Sequence, residues 1–439
     1  MKYRTMKSMK VSTQPYKGAR DFYPEDKARQ TWMFDSWRRV VERYGYQEYD
    51  APILEPTDLY LMKGSEEIVN EQTYTFQDRG KRSVTIRTEM TPSVSRMVAG
   101  KRQEIVLPVR WYSIPNMWRY ERMQRGRLRE FWQLNVDVFG VASEQAEIEM
   151  LQIADGIFQE FKATRDLYVI KVNSRKLVNA LFTELCGLPS AKSAELVRLV
   201  DRKNKMELSA FKTAVQDITK DTKKTDIIIK TLDIKSLNDV PKSLKDMPSV
   251  HTLEKVLTTC KQQGMHNVEF DVSLMRGFDY YTDLVFEVFD TSPENNRAMF
   301  GGGRYDGLVA EFGVESIPTV GFGLGDVTFM NFLETHKLLK PYQPQTDIAV
   351  IVRSPEATDN ARNIAQSLRE YGLSVSVDYT DRKFDKQFKA VQKSGIAFAL
   401  FVDESQNTSD TFVLKDMKTN KELVHSLERI AAIVLDNRK

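Results

Sequence analysis

Residues 119–133 read RYERMQRGRLREFWQ, placing five arginines (119, 122, 125, 127 and 129) within eleven positions, followed after Glu130 by Phe, Trp and Gln. A run of charge is ordinarily a solvated face. The flanks argue otherwise. Upstream, VRWYSIPNMW is rich in β-branched and aromatic residues. Downstream, EFWQLNVDVF alternates, with Trp132, Leu134, Val136 and Val138 on one parity and Phe131, Gln133, Asn135 and Asp137 on the other. Two strands joined by a loop carrying Gly126 predict a long antiparallel hairpin whose second strand turns an apolar face to the core. Its polar face, beside so many guanidinium groups, suits a ligand that carries both phosphate and hydrogen-bonding groups.

The chain has 439 residues, of which 41% are apolar and 10% aromatic, enough for two or three domains with real cores. Its 64 basic and 61 acidic residues nearly cancel, so any nucleic-acid contact must come from local patches. Cys186 and Cys260 form no CxxC, and His251, His266, His336 and His425 are scattered. That pattern excludes a zinc-site spacing and a disulfide framework, and fits a reducing compartment. The first twenty residues carry six basic and no acidic side chains but lack a secretory apolar core, so a cytoplasmic tail is expected, with an organellar transit segment as the alternative. No apolar run is long enough to cross a bilayer.

Periodicity predicts a helix over 27–46 (Met33, Trp37, Val40, Val41, Tyr44), ended near Gly45. Prolines 52 and 56 make YDAPILEPTDLY an edge or interface strand. SVTIRTEMT (83–91) alternates, placing Arg87, Glu89 and Thr91 on one face, with Thr91-Pro92 as N-cap and first turn of the next helix. Helix is expected over 141–161 and a buried strand over 167–172. Residues 175–265 are lysine-rich and poor in aromatics, reading as helices joined by polar turns such as TKDTKKTD and VPKSLKDMP. Strand signals resume at Val268 and continue through LVFEVF. Beyond Pro341 and Pro344, DIAVIV, LSVSV, IAFALFV and TFVLKDM alternate with helices over 358–371 and 384–393, a small α/β domain. The expected organisation is one large domain over 1–174 and 266–340, a helical insertion over 175–265 and the α/β domain over 345–439.

RGFDYYT (276–282) groups Arg276, Asp279, Tyr280 and Tyr281 just before a buried strand, a common place for a pocket. GGGRYDG (301–307) adds Arg304, Tyr305 and Asp306 on what reads as a loop. GFGLGD (321–326) is not a dinucleotide fingerprint, because Asp326 stands where the last glycine of GxGxxG belongs and no βαβ unit begins there. With neither GxxxxGK[ST] nor GxSxG in the chain, phosphate binding must rest on arginine side chains and an antiparallel sheet.

In this order, WRYERMQRGRLREFWQ, RGFDYYT, GGGRYDGL and GFGLG resemble the histidyl-tRNA synthetases, class II aminoacyl-tRNA synthetases, and the resemblance covers nearly the whole chain. It implies an α+β fold: an antiparallel-sheet catalytic domain with a helical insertion, plus a C-terminal α/β anticodon-binding domain. APILEP resembles motif 1 at a homodimer interface, TEMTPS the histidine-binding loop, and Val109 to Asp137 motif 2. By the same resemblance, Arg119 grips the ATP α-phosphate and the histidine carboxylate, Arg127 lies nearer the γ-phosphate, and Glu121 and Phe131 hold and stack the adenine. Glu89, Thr91 and Gln133 hold the histidine amine; Asp137, Tyr280, Tyr281 and Tyr305 surround the imidazole; Arg276 bridges carboxylate and α-phosphate. Guanidinium forks suit bidentate oxyanions, and carboxylates or phenols suit an ammonium or an imidazole N–H.

Two positions depart from the family pattern. Thr328 stands where motif 3 normally ends in an arginine, and Asp137 is one methylene shorter than the glutamate of common bacterial members. The implied activity is a two-step histidine–tRNA ligase using ATP and Mg²⁺ in the cytoplasm, with tRNA(His) as partner and no membrane. The alternative is a non-catalytic histidine-binding regulatory paralogue of an ATP phosphoribosyltransferase complex, which usually lacks the anticodon domain. A threonine or proline ligase would lack RGFDYYT.

Overall fold

The computed structural model describes residues 12–62, 71–201, 203, 206–275, 280–295, 297–380, 382–405 and 410–438. They fall into two compact units, Met1–Leu339 and Lys340–Lys439. The first unit opens with α1 (Pro24–Arg43), β1 (Gln47–Glu48), β2 (Leu54–Pro56), α2 (Asp58–Leu61), β3 (Tyr74–Gln77), β4 (Ser83–Ile86) and α3 (Thr91–Gly100). The hairpin follows as β5 (Val109–Ser113), β6 (Asn116–Trp118) and β7 (Glu130–Phe139), then α4 (Gln145–Glu160) and β8 (Tyr168–Ser174). Five helices come next, α5 (Arg175–Ala180), α6 (Ser190–Asp201), α7 (Leu208–Thr219), α8 (Thr222–Thr231) and α9 (Pro248–Gln262). β9 (Val268–Phe270), β10 (Leu284–Asp290), β11 (Ala298–Arg304), β12 (Thr319–Gly325) and α10 (Asp326–Thr335) complete it.

The sheet runs in the order β1-β5-β7-β12-β11-β10-β8-β9, with β6 paired to β7; only β1–β5 and β8–β9 are parallel. The alternation of β7 sets its two faces. Leu134, Val136 and Val138 are buried in one core with Val320, Phe322 and Leu324 of β12, under α1, α4 and α10. Each such side chain stabilises the fold by about 1.5–3 kcal/mol. The stripe Met33, Trp37, Val40 and Val41 of α1 joins the same core, and Gly45 ends that segment at φ +80. Apolar faces of α5 to α9, including Leu177, Leu196, Phe211, Ile228 and Cys260, are continuous with it.

Four local expectations are corrected. FGGGR is not a loop: β11 lies between β10 and β12, pairing Gly301 with Gly323 and Gly303 with Gly321. The strand predicted over 83–91 stops at Ile86, beyond which Arg87 and Thr88 give their carbonyls to the hairpin. Arg87 O accepts Trp118 N at 3.1 Å, and Arg87 turns its guanidinium to Asp50, Ala51 O and Asn116 O. Thr91 is the first helical residue, not the cap, which is Met90. In TKDTKKTD the turn ends at Asp221, whose carboxylate caps α8 through Lys224 N.

The described part of the basic N-terminal stretch docks onto the hairpin. Gly18 O accepts from Arg129 N at 3.0 Å and Glu130 N at 3.1 Å, and Tyr16 lies against Tyr74 and Trp118. Its Arg20 pairs with buried Asp326 at 2.7 Å, and Asp326 in turn accepts Trp132 N at 3.0 Å.

The second unit has β13 (Ile348–Val352), α11 (Thr358–Glu370), β14 (Val375–Asp378), α12 (Phe384–Ser394) and β15 (Phe398–Val402) as predicted from alternation, then β16 (Phe412–Asp416), β17 (Glu422–His425) and α13 (Leu427–Asp436). Its sheet order is β14-β13-β15-β16-β17, parallel across the first three strands.

A methyl group added at Gly302 would sit 2.1 Å from Gly321 O and 2.5 Å from Phe322 Cβ, whereas at Gly100 it meets nothing within 4 Å. Gly302→Ala is therefore expected to destabilise the protein by about 1–3 kcal/mol, and Gly100→Ala to be neutral or slightly stabilising. Equal melting temperatures for the two variants would contradict this packing.

Candidate active site

On the face of the sheet opposite α1 and α4, beside the first turns of α3 and α10, lies a cavity of about 240 Å³. Its floor is made by missing side chains. Gly321 and Gly323 of β12 face Asp137 and Gln133 of β7; a Cβ at Gly321 would lie 2.0 Å from Asp137 Oδ1, and one at Gly323 2.2 Å from Gln133 Nε2. On β11, a Cβ at Gly303 would meet the Tyr281 ring at 2.9 Å. Polar side chains from the neighbouring strand can thus lie flat across the sheet instead of being pushed off it.

Every predicted ligand residue within the described set lines this one cavity: Glu89, Thr91, Arg119, Glu121, Arg127, Phe131, Gln133, Asp137, Tyr280, Tyr281 and Tyr305. Arg276 lies outside the described residues, as does Asp279. Phe131 to Asp137 is six residues along one strand, a span of about 20 Å at 3.4 Å per residue. The cavity therefore has two chemically distinct ends.

At the hairpin end, Arg119 is fixed by Nε donating to Thr88 O at 3.0 Å, with its guanidinium carbon 5.3 Å from the Phe131 ring centre. Arg127 pairs with Glu121 at 3.3 Å inside the arginine loop. Arg127 is partly exposed, so the pair is weak, about 0–1 kcal/mol, and exchanges readily for an incoming anion. Gly126 carries the loop over Thr328, whose methyl would be 3.2 Å from an added Cβ. Thr328 Oγ1 donates to Met299 O at 2.8 Å, so the position is neutral and occupied by backbone.

At the deep end, Tyr305 donates its hydroxyl to Asp137 Oδ1, both groups fully buried. Burial pushes the Asp137 carboxyl up to about 7, against the opposing pull of the Tyr305 hydrogen bond, and pushes the Tyr305 phenol far above its usual range. Tyr280 donates to Glu89 Oε2 at 3.3 Å and lies tilted against Tyr281 and edge-on to Tyr305. Arg304, adjacent in sequence, takes no part. It is buried and forks onto Glu147 at 2.6 and 2.7 Å, with further bonds to Val141 O and Ser143 O. Burial raises the Glu147 carboxyl against the pull of that guanidinium.

The histidyl-tRNA synthetase family model matches residues 18–326, and an anticodon-binding domain model matches 347–437. The chain is 39% identical over 427 residues to the histidine–tRNA ligase of Leptospira biflexa, covering 96% of this chain and 97% of that one. The chain belongs to the histidyl-tRNA synthetase family. The histidine–tRNA ligase of Thermoplasma volcanium is 34% identical over 415 residues, 94% of this chain and 96% of that one. In fold, a histidyl-tRNA synthetase crystal structure from Nostoc sp. PCC 7120 superposes with a TM-score of 0.82 at 22% identity, covering 98% of this chain and all of that one.

This member of the histidyl-tRNA synthetase family has cavity residues that motif reading alone did not select. Glu287 of β10 faces Gly301 across the strands and lines the wall. Its signal was a lone carboxylate in the apolar strand LVFEVF. Asn135, on the polar parity of β7, lines the floor between Gln133 and Asp137.

The raised Asp137 carboxyl gives a pH prediction with a definite sign. The fold favours its protonated form, so its contribution to stability is fully present below the ordinary carboxylate range near 4 and is lost as pH rises through about 7. Asp137→Asn does not titrate there. The melting temperature of the ligand-free variant relative to wild type should climb between pH 5 and pH 8; a flat difference would show that Asp137 ionises normally.

Proposed function

We propose that the chain is a histidine–tRNA ligase, activating histidine with ATP and transferring it to tRNA(His). The observation that carries this reading is the nearly full-length likeness to the Leptospira histidine–tRNA ligase, in a chain that keeps both the polar cavity and the C-terminal unit. A histidine carboxylate oxygen attacks the α-phosphorus of ATP and pyrophosphate leaves. The terminal ribose hydroxyl of the tRNA then attacks the acyl carbonyl and AMP leaves. No side chain acts as nucleophile; positioning and charge neutralisation do the work.

In this proposal the deep end takes the imidazole. Tyr305 occupies Asp137 Oδ1, leaving Oδ2 to accept the ring N–H, with Tyr280 and Tyr281 closing the walls. Glu89, Thr91 and Gln133 take the ammonium group. Arg119, joined by Arg276, neutralises the carboxylate and α-phosphate; Arg127 releases Glu121 to meet the outer phosphates; Glu121 and Phe131 hold the adenine. Mg²⁺ supplies charge neutralisation on the phosphates. One or two protein carboxylates would suffice to hold it beside the phosphates; Glu287 on the cavity wall is placed to serve, and no group of three metal-ligating side chains occurs among the described residues.

The proposed organisation is a catalytic domain over 1–174 and 266–340, an insertion over 175–265 and an anticodon domain over 345–439. A cytoplasmic homodimer is also proposed. Exposed Ile53, Leu54 and Phe76 around the edge strand β2 support the dimer, and the two buried free cysteines support a reducing compartment. No helix among the described residues is long and apolar enough to cross a membrane.

ATP–pyrophosphate exchange across the twenty amino acids tests the reading: exchange with histidine alone is expected, and silence would promote the regulatory paralogue. Arg119→Ala and Arg276→Ala should each lower histidine-dependent exchange on the order of 100-fold, as for loss of one preorganised oxyanion donor. Wild-type rates in either variant would remove that arginine from the mechanism.

A further inference from the structure

Arg125 of the hairpin does not line the cavity, yet groups far along the chain engage its guanidinium. Nε donates to Asn295 Oδ1 at 3.0 Å, 170 positions away, and Nη2 to Thr335 Oγ1 at 3.2 Å, at the last residue of α10. The socket is built from beneath. Asn295 Nδ2 donates to Asp290 Oδ2 at 2.6 Å, which orients the amide and leaves its oxygen to accept from Arg125. The Asp290 carboxylate is fully buried and is held in turn by Ser292 N at 2.7 Å and His336 Nε2 at 2.8 Å. An exposed ion pair adds little to a fold, as for Arg125 with Glu294 at 3.7 Å. Two acceptors fixed in advance suit the planar fork of a guanidinium and hold it in place.

What Arg125 holds is the tip of the hairpin. Gln124 N donates to Arg127 O at 3.2 Å and Arg127 N to Gln124 O at 2.9 Å, so Arg125 and Gly126 form a tight turn, with Gly126 at φ +79. The docked turn lies against α10. A Cβ at Gly126 would be 3.2 Å from Thr328 Cγ2 and 4.0 Å from Asn331 Nδ2. Gly126, Arg127, Leu128 and Thr328 line the cavity together with Phe131.

A flat base has two faces, and Phe131 can cover only one. Thr328 is too short to cover the other, and its hydroxyl is committed to Met299 O. The peptide plane of the Arg125-Gly126 turn presents a flat set of atoms at that place, enough for dispersion contact across a ring. The space above Thr328 can hold this turn or a long side chain from position 328, not both. The short residue at 328 and the bare glycine at 126 fit each other.

Resting on the ATP site of the ligase reading, we propose that Arg125 is a positioning residue: docked in the Asn295–Thr335 socket, it holds the Arg125-Gly126 turn as the roof over the second face of the adenine. The test is calorimetric titration of the full chain with ATP and, separately, with histidine. Arg125→Ala should weaken ATP about tenfold, the worth of one hydrogen bond, and leave histidine unchanged. Asn295→Ala should match it, and the double variant should be no weaker than either, since both break one contact. Thr328→Arg separates a roof from a plain brace. Alone it should weaken ATP by crowding the docked turn; added to Arg125→Ala it should restore affinity by covering the vacated face. Wild-type ATP affinity in Arg125→Ala, losses that multiply in the double variant, or Thr328→Arg acting with the same sign in both backgrounds overturns the proposal, as does a wild-type chain that binds no ATP. ATP binding that follows this pattern without histidine-dependent exchange would sink the ligase reading alone.

Discussion

The candidate active site depends on a steric constraint: two adjacent strands must lack side chains on the face where a third strand has polar ones. Gly321 and Gly323 leave the space that Asp137 and Gln133 fill, and Gly303 leaves space for the ring of Tyr281. Glycine inside a strand ordinarily weakens it. That cost is offset on the reverse face, where Val320, Phe322 and Leu324 are buried. One strand thus performs two tasks by parity, anchoring the core with its even residues and hollowing the cavity with its odd ones.

Electrostatics divide the cavity along β7. The hairpin end holds guanidinium groups pinned by a backbone carbonyl or, for the partly exposed Arg127, by the Glu121 carboxylate. The deep end holds a carboxyl whose ionisation is suppressed by burial and a phenol locked onto it. A buried pair of this kind costs stability and gives directional hydrogen bonding.

Much of this was legible in the sequence where side-chain alternation carries it. EFWQLNVDVF declared both faces of β7, and the α/β alternation after Pro344 declared the second unit. The glycine strand was illegible for a physical reason: a strand whose partners supply the side chains shows no periodicity of its own, so GGG reads as a turn. Arg87 illustrates the other failure, since its strand ends when a hairpin distant in sequence claims its carbonyl. Glu287 could have been selected from its isolation among apolar neighbours, whereas Arg304 looked like a ligand group and proved to be half of the buried pair with Glu147.

The segment carrying Gly18 and Arg20 edges the arginine hairpin and reaches Asp326, 306 positions further along. Because a ribosome delivers the chain from its amino end, Arg20 emerges long before the carboxylate that will hold it. The arginine hairpin cannot acquire its outer brace until β12 has left the exit tunnel and been slotted beside β7. Nascent fragments that stop short of that strand would expose the arginine cluster without its pocket, a species that binds polyanions without selectivity.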